Sequence, residues 1–232
     1  MYKKVEPKAK QVRVNGFHLK DIQPRTLNQK KTFDEYEKGK HLLLHGAAGS
    51  GKTLIALFLA LRDVINLHQF KSLVIVRTAV EAREIGFLPG TEEEKSESYQ
   101  LPYRSLCSEL FHNDKAYAFL KTAGIIDFTL TTFLRGQTLD DSIVVIDEAS
   151  NFEWRELYTV MTRLGNNTRV IICGDVAQSD FKFSNEKLGF SNFKKVVEKI
   201  ESFSCIEFGI DDIVRGALVK EFIIESYRQG LA

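Results

Sequence analysis

Eight consecutive residues, Gly46-Ala47-Ala48-Gly49-Ser50-Gly51-Lys52-Thr53, fit the pattern GxxxxGK[ST], and each fixed residue type in it has a chemical reason. The glycines open backbone conformations closed to other residues and let N–H groups approach phosphate oxygens. A helix that begins there adds about half a positive charge at the same spot. Lys52 can then reach β- and γ-phosphates, and the Thr53 hydroxyl can ligate Mg2+. All eight residues are candidate contacts for a nucleotide.

A second group of residues suits the same chemistry. Ile143-Val144-Val145-Ile146 is a β-branched run that ends in Asp147-Glu148. It places two carboxylates at the end of a buried strand, where open α/β sheets bind ligands. Asp147 is the expected partner of the metal, and Glu148 can orient or deprotonate a water. Gln178 follows another apolar run, Val170-Ile171-Ile172-Cys173, and can hydrogen-bond a γ-phosphate or the attacking water. Gln29 offers a donor and an acceptor together, which matches the edge of adenine. Arg215 is a lone cation after Asp211 and Asp212.

These residues need a scaffold that brings distant segments to one edge, and the apolar pattern supplies it. His41–His45, Ser72–Val76, Asp127–Thr131, Ser142–Ile146, Arg169–Cys173 and Phe203–Phe208 read as strands, several of them apolar enough to be covered on both faces of a parallel sheet. Between them lie helical patterns: a short one at 29–36, one from Leu54 to Ile65, segments within 101–122, and others near 154–164 and 186–202. A last helix is expected to turn Leu218, Phe222 and Ile223 inward. Residues 78–122 read as an insertion. Within it Gly86-Phe87-Leu88-Pro89-Gly90 reads as a turn, and Thr91-Glu92-Glu93-Glu94-Lys95 as an exposed charged loop.

The chain has 232 residues, 44% hydrophobic and 27% charged, enough for one sizeable α/β core. No stretch has the roughly 20 apolar residues of a membrane span, and the basic start lacks the apolar core of a signal peptide. A cytoplasmic setting is therefore expected. Cys107, Cys173 and Cys205 are widely spaced, which argues against a disulfide framework or zinc site and for buried thiols. The net charge of +1 hides an asymmetry. Residues 1–40 carry eleven Lys/Arg against five Asp/Glu, a net +6, and the remainder carries −5. We assign residues 1–20 to a basic arm and 21–232 to the folded domain. Such an arm can attract a phosphate backbone.

Taken together, GAAGSGKT at 46–53, VVIDEAS at 144–150, GDVAQ at 174–178 and DDIVRGALV at 211–219 resemble the PhoH-like ATPase family, related to the first RecA-like domain of superfamily 1 helicases. VRTAVEAREIGFLPG at 76–90 and FLRGQTLDD at 133–141 are similar to two further segments of that family. Thr78, Gln137 and Gly216 stand where Pro, Arg and His are usual. The resemblance implies a single RecA-like domain with a mostly parallel sheet and helices on both faces. It places the strand ending at Cys173 between the phosphate-loop strand and the Asp147 strand. It further implies hydrolysis of ATP with Mg2+, coupled to RNA or single-stranded DNA, in a hexameric ring. Gln29 then reads adenine, and Arg215 touches the γ-phosphate. Because one such domain leaves its cleft open, Arg215 is expected to act across a subunit boundary, with Arg135 and Arg163 as the other candidates. Two rival readings share the phosphate loop: a nucleotide-switched binding module and a small-molecule kinase.

Overall fold

The computed structural model describes residues 16–79, 92–134, 136–175 and 184–230. Six strands form one sheet: β1 (His41–Gly46), β2 (Ser72–Arg77), β3 (Ile126–Leu130), β4 (Ser142–Ile146), β5 (Thr168–Gly174) and β6 (Phe203–Phe208). Their order is β3-β2-β4-β5-β1-β6, and each neighbouring pair is parallel. Parallel neighbours need long crossovers, and these carry the helices over both faces. The strand that ends at Cys173 does lie between the phosphate-loop strand and the Asp147 strand.

The alternation of side chains along β1 divides the core in two. Leu42 and Leu44 face a layer with Ile55, Phe58 and Leu59 of α2 (Lys52–Leu61), Tyr103 and Cys107 of α3 (Glu92–Phe111), and Leu120 of α4 (Ala116–Thr122). Leu43 faces the other layer, with Leu157 and Val160 of α5 (Trp154–Met161) and Phe190 and Phe193 of α6 (Ser184–Val197). At roughly 1.5–3 kcal/mol for each large apolar side chain removed from water, this two-sided burial holds the strands in register. It also explains why β1, β2, β4 and β5 read as continuous apolar runs.

Several expectations change. Within the stretch expected as an insertion at 78–122, α3 and α4 form part of the crossover from β2 to the paired β3, and both contribute to the core. The acidic run Glu92-Glu93-Glu94, expected as a loop, opens α3. The last helix, α7 (Ala217–Arg228), leaves Leu218 and Phe222 exposed at 78% and 73%. Residues 17–20, assigned to the basic arm, belong to the packed unit, because Phe17 stacks on Phe119 at 4.6 Å and Lys20 N donates to Leu110 O at 2.8 Å. Cys107 and Cys173 are buried thiols, whereas Cys205 on the edge strand β6 is only partly covered.

At the amino end of the sheet, α1 (Leu27–Glu37) is pinned by a buried polar cluster. The Tyr36 hydroxyl donates to Asp63 Oδ2 at 2.9 Å, and the Arg169 guanidinium lies 4.0 Å from the Tyr36 ring centre. Asp63 also pairs with Arg62 at 3.0 Å and Arg169 at 3.4 Å. This anchor fixes the helix that carries Gln29. Beside it, His41 Nδ1 accepts from Val170 N at 3.2 Å, which requires that nitrogen to be unprotonated.

Burial, followed by the nearby Arg169 charge, lowers the His41 pKa below its ordinary 6.5. The unfolded chain therefore binds this proton more readily than the folded one, and stability falls as pH drops through the range below 6.5. His41→Asn keeps an acceptor in place of Nδ1 without the titration. The melting temperature lost between about pH 7 and about pH 5 should be smaller in this variant than in the parent. An equal loss in both would show that His41 does not contribute.

Candidate functional site

The phosphate loop leaves β1 through a turn that only glycine fits. Gly46 has φ +106°, and a Cβ there would stand 2.2 Å from Phe208 O on β6. Ala47 N donates to that same carbonyl at 2.8 Å, so β6 fixes the start of the loop. At Gly49, φ is +70°, and a Cβ would stand 2.7 Å from Arg215 Cγ. Val214 N donates to Gly49 O at 3.0 Å. Thus the segment after β6 lies over the loop of its own chain, with the Arg215 side chain packed against Gly49. Arg163, the reserve, is at the opposite end of the sheet, where its carbonyl accepts from Leu139 N ahead of β4. Arg135 and Gln178 lie outside the described residues, as do Gly86–Gly90.

Lys52 opens α2 and folds back on the loop. Its Nζ donates to Gly46 O and Ala47 O, both at 2.8 Å, and lies 3.3 Å from Ser50 Oγ. Burial lowers its pKa, against the upward pull of Asp175, Glu148 and Asp147. Ser50 is fully buried and donates to Ala47 O at 2.8 Å, tightening the turn. Gln29 is also buried: its Nε2 donates to Ser50 O at 2.9 Å, and its Oε1 accepts from Arg25 N at 2.7 Å. The carboxamide is therefore braced against the phosphate loop and the chain before α1. Asn28 Nδ2 extends the brace to Asp212 Oδ2 at 2.8 Å, just ahead of Arg215.

Across β5, Thr53 Oγ1 donates to Asp147 Oδ1 at 2.9 Å. This contact brings the end of the phosphate loop to the end of β4. A hydroxyl and a carboxylate are hard oxygen donors of the kind Mg2+ takes, with substrate phosphates completing its coordination. No cluster of three or more His, Cys, Asp or Glu side chains suited to a metal occurs among the described residues. Glu148 is partly exposed and has φ +53°, an uncommon backbone for a non-glycine residue. Burial and then Asp147 raise its pKa, while Arg77 and Lys52 oppose the shift.

Further contacts at this edge of the sheet escape sequence reading. Tyr103 Oη donates to Asp147 Oδ2 at 2.9 Å and accepts from Arg77 Nη1 at 3.4 Å. Burial, and after it Asp147, hold the phenol pKa well above 10.0, so it remains a neutral donor. Glu156 on α5 accepts from Thr78 Oγ1 at 2.9 Å and Thr131 Oγ1 at 2.7 Å, tying the ends of β2 and β3 to the helix after Glu148. The Pro usual at position 78 in the resemblance has no hydroxyl for this bond. None of these contacts has a local sequence signal, because each joins separate elements.

A family model described as PhoH-like protein matches residues 21–228. The chain belongs to the PhoH-like protein family. It is 34% identical over 209 residues to a PhoH-like protein of Bacillus subtilis (strain 168), covering 90% of this chain and 64% of the relative. It is 32% identical over 211 residues to a PhoH-like protein of Mycobacterium leprae (strain TN), covering 90% and 59%. This family member thus spans about three fifths of the length of the curated relatives it matches. Among solved structures it is similar to the large terminase from the thermophilic bacteriophage D6E, with a TM-score of 0.50 and 12% identity over 86% of this chain and 50% of that one. That likeness agrees with a RecA-like P-loop NTPase domain and concerns the fold alone. No helix among the described residues is long and apolar enough to cross a membrane.

Gly46→Ala tests the loop geometry. Its methyl group must displace the Phe208 carbonyl, so stability should fall by roughly 1–3 kcal/mol and nucleotide binding should be lost with it. Denaturant melts and a fluorescent-nucleotide titration measure the two effects. An unchanged affinity would show that the turn does not shape a phosphate site.

Proposed function

We propose that the chain binds ATP with Mg2+, hydrolyses it to ADP and phosphate, and couples this to RNA or single-stranded DNA. The observation that carries the reading is the 2.9 Å contact between Thr53 and Asp147 beside a glycine loop, with Glu148 next in the chain. Backbone N–H groups from Gly46 to Thr53 would cradle the phosphates, and Lys52 would exchange its loop carbonyls for phosphate oxygens. Thr53 and Asp147 would hold Mg2+, which when bound supplies charge neutralisation at the phosphates. Glu148 orients the attacking water and accepts its proton. Gln178 reports on the γ-phosphate, and Gln29 supports adenine recognition from its place against the loop.

Arg215 completes the site. The packing of its side chain on Gly49 favours a role within its own chain, stabilising negative charge on the transferring phosphoryl group. The nucleic-acid part rests on the basic N-terminal region, with its net +6 over residues 1–40. A ring of identical subunits, six in the arrangement we favour, would close the open side of the domain.

Steady-state phosphate release, measured with and without RNA or single-stranded DNA, tests the whole reading. Release that nucleic acid stimulates is expected; a nucleotide-switched module would bind ATP with negligible turnover, and a kinase would need a second small substrate. Lys52→Ala should abolish binding or turnover, whereas Glu148→Gln should retain ATP and slow hydrolysis by about a hundredfold or more. Normal turnover in Glu148→Gln would remove that residue from the mechanism.

Arg215→Ala should slow hydrolysis by roughly a thousandfold while sparing ATP binding. Mixing it with Lys52→Ala should restore nothing, because the arginine and the loop must come from one chain. Recovered activity in the mixture would instead demonstrate action between subunits.

A further inference from the structure

Asp147 has two oxygens, and the structure gives each a separate partner. Oδ1 accepts from Thr53 Oγ1, and Oδ2 accepts from Tyr103 Oη, both at 2.9 Å. Tyr103 is fully buried on α3 and reaches the end of β4 from the layer that covers the sheet. Behind it, Arg77 at the end of β2 donates through Nη1 to the phenol oxygen at 3.4 Å. The Arg77 guanidinium lies 5.9 Å from the Tyr99 ring centre, and its Nε has no hydrogen-bond partner among the described residues. The phenol is thus its hydrogen-bonded link towards Asp147.

This arrangement differs in consequence from a direct ion pair. A guanidinium clamped on Asp147 would neutralise the carboxylate and compete with a divalent cation for it. A neutral phenol fixes the plane of the carboxylate and leaves its charge available. The guanidinium behind the phenol polarises the O–H and strengthens its donation. Partners of this kind, which orient a ligand without touching the ion, commonly govern metal affinity.

We propose that Tyr103, backed by Arg77, is the positioning residue that presents Asp147 Oδ1 to Mg2+ alongside Thr53 Oγ1. The inference rests on the ATP-and-magnesium reading above and adds the device that aims the carboxylate. Tyr103→Phe keeps the ring and removes only the donor to Oδ2, so the carboxylate can rotate away from Thr53.

The test uses Mn2+ as the probe, followed by electron paramagnetic resonance of the free ion in titrations of the full chain saturated with ADP. Tyr103→Phe should weaken Mn2+ binding by about tenfold or more, with metal-free ADP affinity held within about twofold. Arg77→Lys, which keeps the phenol but loses the planar fork, should weaken Mn2+ by about threefold and carries the test if Tyr103→Phe does not fold. Unchanged Mn2+ affinity in the folded variants would overturn the proposal. So would a parallel loss of Mn2+ and metal-free ADP binding, which would mark a structural role only. A parent protein that binds ADP but no Mn2+, or neither, would overturn the magnesium-dependent reading itself.

Discussion

The hydrogen bond from Thr53 to Asp147 depends on nearly every other feature of the domain. Thr53 belongs to the helix after β1 and Asp147 to the end of β4, and β5 lies between those strands. The two side chains meet only because the sheet is parallel, so that both chain segments emerge at the same edge. Neither the fully buried strands nor the helices on both faces are incidental to this contact. A strand shifted by one residue would exchange the two faces of its side chains and separate the pair.

A second constraint comes from β6 and the segment that follows it. The Phe208 carbonyl holds the first turn of the phosphate loop, and Val214 and Arg215 cover its middle. The loop is therefore shaped by an element more than 150 residues later in the chain. Gln29, braced by α1 and linked through Asn28 and Asp212, supports the same loop from the other side. These contacts make a pre-formed cradle, in which little conformational freedom remains to be lost on binding a phosphate.

Much of this was legible in the residues. The strands could be read because burial on both faces leaves uninterrupted apolar runs, and the loop because its chemistry demands glycines and a lysine at fixed spacing. The first turns of α3 were not, because Glu92-Glu93-Glu94 is as acceptable at a helix start as in a solvated loop. Leu218 and Phe222 show a helical apolar pattern that says nothing of what, if anything, covers it. Tyr103 was hidden for a different reason: its meaning lies in the distance to Asp147, 44 residues away, which no local pattern encodes. The packing of Arg215 on the loop of its own chain likewise shows as a close approach to Gly49 rather than as any motif.

In the function proposed above, the loop from Gly46 to Thr53, Asp147 and Arg215 of one chain form a single phosphate site. A crystal structure with ADP, Mg2+ and a γ-phosphate mimic tests it most directly. The expected structure has the β-phosphate seated in the loop, Lys52 moved from the Gly46 and Ala47 carbonyls onto phosphate oxygens, and the Arg215 guanidinium of the same chain on the mimic. Nucleotide bound elsewhere, with Lys52 still on those carbonyls, or a mimic contacted only by an arginine from a neighbouring chain, would contradict it.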